Sequence, residues 1–327
     1  MPRRTLGLDL LVSAIGLGCM GMSEFHGPRD DDEKRAVLRR AVHPGIDFSD
    51  TADMYGPHHN EELIGPFLAE SGAKVKVATK FGIVRKPGDD ARSIDNGAAC
   101  MRRACEASLE RLGVERIDPC YVHRIDRERP IEETMEGPAA LKREGKIDHI
   151  GLCEVSAGTL RRAHAVHPVA AVQTGYSLWT RDVEAEVLPA CRAAGIGFVA
   201  CSPLGRGFLT GRFKAGSPFE DGDFRASLPR FAPDHAAAST ALVELVRGMA
   251  AAKGCTPAQI ALAWPLARGD DIVPIPGTKR LNYLEENVAA ASIGLDENAR
   301  DRLEEAVSRI PVRGERYTEE GMKGLNA

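Results

Sequence analysis

The sequence predicts a single α/β barrel of eight parallel strands and eight helices, a (β/α)8 or TIM barrel, over residues 1–327. Short apolar runs alternate with amphipathic stretches from one end of the chain to the other. Several runs are rich in β-branched residues and almost continuously apolar, as parallel strands buried on both faces are. No linker rich in Pro, Gly and Ser divides the chain, so one closed barrel is favoured over the two domains that the length also allows.

The barrel elements are expected in strict alternation along the chain. Strands are predicted at 14–18, 46–50, 74–80, 117–123, 147–152, 170–174, 197–202 and 271–275. Helices are predicted at 30–42, 60–70, 96–111, 132–144, 157–165, 182–194, 234–268 and 280–291. A hairpin over 5–12 precedes the barrel, and an extra C-terminal helix over 296–309 follows it.

Local signals support several of these boundaries. Thr256 followed by Pro257 is typical of a helix start, and Gly254 is typical of a helix end. Pro265 should kink or end the helix that contains it. The stretch 212–232 is long, polar and rich in Pro and Gly, which predicts a surface loop that could act as a lid.

The composition argues against several classes of protein. The net charge of −4 does not favour a nucleic-acid binder, which usually presents a basic face. None of the eight cysteines forms a C-x-x-C pair, so no metal site is expected. Scattered cysteines in a long chain indicate reduced thiols in the cytoplasm. We therefore expect a cytoplasmic protein whose partner is a small molecule.

The N-terminus does not change this expectation. It starts basic and turns apolar, as a signal peptide does, but Asp9 and several glycines interrupt the apolar run. No run of about 18 apolar residues exists that could cross a membrane as a helix.

Four candidate catalytic residues follow from the strand positions. In a (β/α)8 barrel the chemistry lies at the C-terminal ends of the strands. The second, third and fourth predicted strands end at Asp50, Lys80 and His123, and Tyr55 follows Asp50 closely. An ammonium next to a phenol favours the phenolate and lowers its pKa, a carboxylate holds the ammonium, and an imidazole donates a hydrogen bond. This combination suits the reduction of an aldehyde or ketone by hydride.

Each of the four residues also has an ordinary explanation. Asp50 could cap a turn, Tyr55 could be a plain amphipathic residue, Lys80 a solvated charge and His123 a structural imidazole. All four at neighbouring strand ends are better explained by a shared function.

The motifs around these residues resemble the aldo-keto reductase family. They are GIDFSDTADMYG, HHNEELIG, ATKFG, CYVHRID, GLCEVS, AAVQTGYSLW, SPLGRGFLTG and VPIPGTKRLNYLEENV, in the family's order over roughly 3–310. The resemblance implies a (β/α)8 barrel that binds NADP(H) across its mouth and reversibly reduces a carbonyl compound to an alcohol. The family tetrad corresponds to Asp50, Tyr55, Lys80 and His123, with Tyr55 as the general acid. The chain has no dinucleotide motif of the G-x-G-x-x-G type after its first strand.

The same resemblance implies a set of cofactor-binding residues. The nicotinamide carboxamide would be held by Cys153, Glu154 and Gln173, and the pyrophosphate by Ser202, Leu204, Arg206 and Gly207. The adenosine end would be held by Gly277, Thr278, Lys279, Arg280, Glu286 and Asn287. Cys19, Met20, Asp50, Cys201, Pro203 and Pro276 complete the set. Two cations at the start of a helix favour NADP over NAD, because a phosphate there meets both.

Three residues depart from the family pattern. Cys201 stands where an aromatic ring usually stacks on the nicotinamide, Cys153 where a serine is usual, and Gly175 where a polar residue is common. The substrate itself is not encoded in a motif; loop residues Phe25, His26 and Trp179 are expected to contact it.

Three other functions stay open at this point. The chain could be a cofactor-binding regulatory subunit of the same fold, or a barrel aldolase that forms a Schiff base on Lys80. A metallohydrolase built on His58 and His59 is the third, although adjacent histidines point in different directions on a regular element.

Overall fold

The fold is a closed barrel of parallel strands surrounded by helices. The computed structural model describes residues 1–25, 30–72, 74–85, 91–213, 215–325 and 327. Its strands are β1 (Arg3–Leu6), β2 (Leu10–Ser13), β3 (Leu17–Gly18), β4 (Phe48–Asp50), β5 (Lys76–Phe81), β6 (Ile83–Arg85), β7 (Arg92–Ile94), β8 (Cys120–Val122), β9 (Ile150–Cys153), β10 (Ala171–Gly175), β11 (Gly197–Cys201) and β12 (Ile272–Pro274). Its helices are α1 (Asp31–Ala41), α2 (His59–Ser71), α3 (Ala98–Leu112), α4 (Ile131–Arg143), α5 (Ala157–Val166), α6 (Val187–Ala193), α7 (Pro233–Ala238), α8 (Thr240–Lys253), α9 (Pro257–Ala267), α10 (Leu281–Ala289), α11 (Glu297–Ser308) and α12 (Glu319–Lys323).

Eight of the strands form the barrel. Their order is β12-β11-β10-β9-β8-β5-β4-β3, and every neighbouring pair is parallel. The sheet closes on itself because Gly16 N donates to Pro274 O (3.0 Å) and Gly18 N donates to Pro276 O (3.2 Å). The prediction of a (β/α)8 barrel is confirmed, and each of the eight predicted strand ranges overlaps one barrel strand.

The N-terminal hairpin of β1 and β2 plugs one end of the barrel. Leu6, Leu10 and Val12 are fully buried and share a cluster with inward side chains of the barrel strands. A Cβ on Gly197, the first residue of β11, would lie 2.5 Å from the Leu6 side chain, so glycine is needed for this close packing. With the N-terminal end of the barrel filled, the C-terminal ends of the strands are the open face.

Most predicted helices are confirmed, and two are divided. The predicted helix 182–194 is a 3-10 turn (Asp182–Glu184) followed by α6. The predicted helical region 234–268 is three helices, α7, α8 and α9. The helix end predicted at Gly254 is confirmed, because Gly254 adopts a left-handed φ of 64° that ends α8. Thr256 then starts α9 with a reciprocal capping pair to Gln259.

Other segments differ from the sequence expectation in smaller ways. Pro265 lies within the last turn of α9, which ends at Ala267. The predicted loop 212–232 contains two 3-10 turns, Phe224–Ser227 and Pro229–Phe231. The small hairpin of β6 and β7 and the short helix α12 were not predicted. In the part of the chain that the structure describes, no helix combines the length and apolar character needed to cross a bilayer.

Candidate active site

A large cavity opens at the C-terminal ends of the barrel strands. Its volume is about 1490 Å³, above the usual range of about 300–1,000 Å³ for a small-molecule pocket. It therefore has room for a dinucleotide together with a small substrate. Asp50, Tyr55 and His123 line it, and Lys80 lies directly behind them.

The four predicted catalytic residues are brought together at this mouth. Lys80 Nζ donates to Asp50 Oδ1 (2.5 Å), to Thr51 O (2.7 Å) and to the Tyr55 hydroxyl (3.4 Å). The Tyr55 and His123 rings meet edge to face with centroids 6.0 Å apart. All of these side chains are buried, so the charges act through a medium of low dielectric constant.

The ionisation of Lys80 and Tyr55 follows from this geometry. Burial alone would lower the pKa of Lys80, but the charge and hydrogen bond of Asp50, together with Tyr55 and Cys153, outweigh burial, so the pKa of Lys80 is raised and the amine stays charged. Burial raises the pKa of Tyr55, and the Lys80 ammonium opposes this only in part. The expectation from the sequence that the pKa of the Tyr55 phenol is lowered is therefore wrong, because its pKa is raised overall. Lys80 does lower this pKa, as expected, but by less than burial raises it. Tyr55 is a protonated phenol whose anion would be stabilised by the ammonium beside it.

His123 is held as a neutral imidazole. Burial, together with the nearby positive charges of Arg124, Lys80 and Arg92, lowers its pKa well below the usual value. A neutral ring carries one N–H donor and one acceptor nitrogen. His123 can therefore donate a hydrogen bond to a substrate oxygen but does not bring a second positive charge to the mouth.

The remaining oxygen of Asp50 is also bound. Gln173 Nε2 donates to Asp50 Oδ2 (2.6 Å), so the carboxylate is held from two sides by Lys80 and Gln173. Gln173 was predicted to hold the cofactor amide, and it does line the cavity. In the structure, the Gln173 side chain fixes the orientation of the Asp50 carboxylate.

A second acidic group lies behind the tetrad. The Glu61 carboxylate is fully buried and accepts from Arg111 Nε (2.7 Å) and from the Thr79 hydroxyl. Asp53 lies nearby with no hydrogen bond to Oδ1 from any described residue. Burial, with the neighbouring charge of Glu61, raises the pKa of Asp53 to about 8. Asp53 is thus a neutral acid at pH 7. Burial raises the pKa of Asp50 as well, but the charge and hydrogen bond of Lys80 oppose this, and the direct contact makes Asp50 the counter-ion of Lys80.

We expect Asp53→Asn to flatten the dependence of stability on pH. The unfolded chain loses the Asp53 proton near the ordinary pKa of 3.8, whereas the folded chain keeps it until about pH 8. The stability from burying the neutral acid is therefore complete below pH 3.8 and is lost as the pH rises through 8, at up to about 1.4 kcal/mol per pH unit. Asn cannot ionise, so the variant should not show this loss.

Urea unfolding at pH 5, 6, 7 and 8 measures this difference. Asp221→Asn, at an exposed position, is the matched control and should follow the wild type. Parallel profiles for wild type and Asp53→Asn would show that Asp53 is ionised in the folded protein.

Strained backbone concentrates at the cavity. Among the described residues, five other than glycine have a positive φ, and four of these line the cavity: Phe25, Glu154, Ser202 and Arg206. Such conformations cost about 1–3 kcal/mol each and persist where the surrounding structure enforces them. Gly205 and Gly207 supply the left-handed backbone on either side of Arg206 (φ 55°). This loop directs the Arg206 side chain to the cavity, where its guanidinium lies 5.3 Å from the Tyr317 ring centroid.

Residues just before α10 also line the cavity. Arg280 is its N-cap and provides no side-chain cap for the free N–H groups of the first turn. Lys279 precedes it, so both cations come just before the helix rather than within it. Burial, with the charge of Arg280, lowers the pKa of Lys279. Two cations and free N–H groups at one place form a site suited to an anion.

The other predicted cofactor residues have the following positions. Every residue of the predicted set except Cys19 lines the cavity. The lining members are Met20, Asp50, Cys153, Glu154, Gln173, Cys201, Ser202, Pro203, Leu204, Arg206, Gly207, Pro276, Gly277, Thr278, Lys279, Arg280, Glu286 and Asn287. Cys19 is fully buried, and its thiol donates to Leu17 O (3.6 Å), so its side chain points into the barrel wall.

The predicted substrate residues are not brought together. Phe25 lines the cavity, and His26 lies outside the described residues. Trp179 is buried behind the wall, because its ring stacks on Phe208 at 4.1 Å and its Nε1 donates to Ser239. We therefore do not assign Trp179 a direct contact with a substrate.

The C-terminal segment 310–325 completes the site, and sequence reasoning did not find it. Arg316 is buried and pairs with both oxygens of Glu154 (3.2 and 3.1 Å). Tyr317 lines the cavity with guanidinium groups of Arg124, Arg206 and Arg316 within 6 Å of its ring centroid. No local sequence pattern marks Arg316 and Tyr317 as site residues, since the residues that they contact are distant in the chain.

The sequence left open a metallohydrolase built on His58 and His59. Within the described ranges, no group of three or more His, Cys, Asp or Glu side chains is placed to hold a metal ion. His59 instead contacts the Ser23 hydroxyl (2.8 Å) and Asp31 (3.2 Å).

Comparison with known proteins identifies the family. Residues 14–308, most of the chain, match the Aldo/keto reductase family. The chain belongs to this family. As an aldo/keto reductase it is an oxidoreductase, and nicotinamide dinucleotides are the cofactors of this class.

Solved structures of bacterial aldo/keto reductases share its fold. The glycerol dehydrogenase AKR11B4 from Gluconobacter oxydans superposes with a TM-score of 0.87 at 26% identity, over 96% of this chain and 97% of that one. The thermostable aldo-keto reductase Tm1743, solved with the inhibitor epalrestat, gives 0.74 at 27% identity over 94% of this chain and 100% of that one. The holo form of AKR11C1 from Bacillus halodurans gives 0.76 at 24% identity, over 98% and 99%, and supports the fold alone.

Proposed function

We propose that this aldo/keto reductase reversibly reduces an aldehyde or ketone to an alcohol with NADPH, and that Tyr55 is its general acid. The observation that carries the proposal is the Lys80 ammonium, which is held by Asp50 and donates to the Tyr55 hydroxyl at the cavity mouth. A neighbouring solved structure is named as a glycerol dehydrogenase, which fits interconversion of alcohol and carbonyl groups.

Tyr55, Lys80 and His123 each have a separate role in the proposed reaction. Bound NADPH supplies a hydride to the carbonyl carbon. Tyr55 gives its proton to the carbonyl oxygen, so that the two additions together make the alcohol. The Lys80 ammonium stabilises the phenolate left on Tyr55, and neutral His123 donates a hydrogen bond to the same oxygen as negative charge develops there.

The residues fit a dinucleotide in an extended pose. Arg206, Lys279 and Arg280 line the cavity and would hold the pyrophosphate and the adenosine phosphate. Gln173, which contacts Asp50, would hold the carboxamide end together with Cys153 and Glu154.

The direct test is oxidation of NADPH by a simple aldehyde. Purified protein with 4-nitrobenzaldehyde should consume NADPH in proportion to aldehyde, with the alcohol as product. Tight NADPH binding without turnover over a panel of aldehydes, ketones and sugars would instead favour a regulatory subunit of the same fold.

The Schiff-base alternative is disfavoured by the charge on Lys80. Attack on a carbonyl needs a neutral amine, whereas Asp50 raises the pKa of Lys80. Borohydride treatment with an aldehyde should therefore leave Lys80 unmodified, as peptide mass mapping would show.

We expect the protein to prefer NADPH over NADH, because Lys279 and Arg280 would meet the 2′-phosphate at the start of α10. Hydrogen bonds to charged groups contribute about 1.5–3 kcal/mol, so replacing both residues with Ala should weaken NADPH binding by about 10–100-fold and NADH binding far less. Fluorescence titration of the two cofactors measures the ratio.

Arg161→Ala/Arg162→Ala is the matched control. These neighbouring cations are exposed on α5, outside the cavity, and their loss should leave both affinities unchanged. Equal losses for NADPH and NADH in the Lys279/Arg280 variant would refute a role in phosphate recognition.

We also propose a cytoplasmic location and a small-molecule carbonyl or alcohol as substrate. All eight cysteines are free thiols, as expected for a reducing compartment.

A further inference from the structure

We infer that Arg124 makes this site selective for carbonyl substrates that carry a carboxylate. The inference rests on the proposed carbonyl reduction and names its substrate class.

Arg124 lies beside the reacting groups. It follows His123 directly at the end of β8 and lines the cavity. Asn96 Nδ2 donates to its backbone oxygen (3.1 Å), which fixes the chain at this point. Its positive charge, with that of Arg92, acts directly on His123. A group bound at Arg124 is therefore close to the place where the carbonyl oxygen meets Tyr55 and His123.

The side chain of Arg124 is positioned by the C-terminal segment. Its stem packs on Gly324, where an added Cβ would lie 3.2 Å from Cδ. Its guanidinium lies 5.9 Å from the Tyr317 ring centroid. These contacts hold the guanidinium against the cavity, so little side-chain entropy would be lost when a ligand binds to it.

The guanidinium of Arg124 lacks a carboxylate in the described part of the chain. Its one hydrogen bond there is from Nη1 to the His123 backbone oxygen (2.7 Å), and no described acidic side chain lies within 4.0 Å. Two nearby arginines differ: Arg225, which lines the same cavity, pairs with Asp223, and Arg316, which packs on Tyr317, pairs with Glu154. A guanidinium presents five N–H donors, so most of those on Arg124 are free for a ligand.

A carboxylate is the ligand that these donors fit. A planar guanidinium binds a carboxylate through two parallel hydrogen bonds, and burial strengthens the attraction. A substrate with its carbonyl at Tyr55 and a carboxylate a few atoms away would supply the missing counter-charge. An uncharged substrate of the same size would leave it missing.

A purely structural Arg124 would behave differently. If the residue only ties the β8 loop to the C-terminal segment, its loss should lower the turnover of charged and neutral substrates by the same factor. The comparison of two substrates that differ only in charge therefore separates recognition from structural support.

The test compares 4-carboxybenzaldehyde with methyl 4-formylbenzoate, its neutral ester. The wild type should reduce the acid with a kcat/KM at least about tenfold higher. Arg124→Met should remove this preference, mainly by raising KM for the acid, and Arg124→Lys should keep part of it because the charge remains. Arg161→Met, at an exposed arginine of α5 outside the cavity, should keep the wild-type ratio.

Inhibition provides a second measurement on the wild type alone. Benzoate should compete with the methyl ester for the free enzyme–NADPH complex, whereas benzamide should inhibit at least about tenfold more weakly. Equal kcat/KM for acid and ester in the wild type, or an equal loss for both in Arg124→Met, would overturn the role of Arg124. Failure to reduce any aldehyde would overturn the proposed function itself.

Discussion

Tyr55→Phe should reduce NADPH-dependent carbonyl reduction by about 10²–10⁴-fold while leaving NADPH binding nearly unchanged. This is the usual range for the loss of a general acid. The structure supports a large effect, because the Tyr55 hydroxyl lies next to the Lys80 ammonium at the cavity, and phenylalanine keeps the ring but removes the hydroxyl proton. The measurement is the rate of the chemical step under single-turnover conditions, with NADPH affinity determined separately by fluorescence titration.

Tyr176→Phe is the matched control for this variant. Tyr176 is also buried, but its hydroxyl donates to Glu184 (2.8 Å), away from the cavity. Its loss should cost some stability and leave the chemical step intact. A Tyr55→Phe variant that reduces aldehydes at close to the wild-type rate would show that the proton comes from another group.

The sequence predicted that Asp50, Tyr55, Lys80 and His123 meet at one mouth because the signals for their positions are local. Each member lies at or just after a strand with a strong apolar pattern, and the geometry of a (β/α)8 barrel then brings the strand ends together. To place Asp50, Lys80 and His123 at the barrel mouth, the predicted strand boundaries had to be correct only within about two residues. The structure adds the sign and origin of their pKa shifts, which depend on burial that a sequence pattern does not give.

The residues that the sequence misplaced or missed depend on contacts between distant segments. Trp179 follows a strand end, as a substrate residue would, but its packing on Phe208 and its bond to Ser239 place it behind the wall. Arg316 lies in a polar tail with no periodicity, and its partner Glu154 is 162 residues away. Contacts of this range are set by the assembled fold, so no local pattern signals them.

The C-terminal segment also explains one departure from the family pattern. A Cβ on Gly175 would lie 2.6 Å from Arg316 Nη1, so the guanidinium occupies the space that a side chain at this position would take. Gly175 N donates to Glu154 Oε1 (3.3 Å), the oxygen to which Arg316 Nη1 also donates (3.2 Å). Gly175, Glu154 and Arg316 therefore form one buried unit that fixes the tail over the cavity wall.

Arg316→Met should lower the free energy of unfolding by about 3–5 kcal/mol, because it leaves the Glu154 carboxylate buried without its partner. The exposed fractions of the two side chains are 8% and 2%, so water cannot replace the lost guanidinium while the tail stays in place. The double variant Glu154→Gln/Arg316→Met removes both charges and should recover most of the loss.

Urea unfolding of the wild type, both single variants and the double variant gives the coupling energy as a double-mutant cycle. Arg162→Met, which breaks the exposed pair with Glu132, is the control and should change the free energy of unfolding very little. A coupling energy as small as that of an exposed pair would mean that the tail is not fixed by Arg316, and that Tyr317 and Gly324 depend on other contacts for their positions beside Arg124.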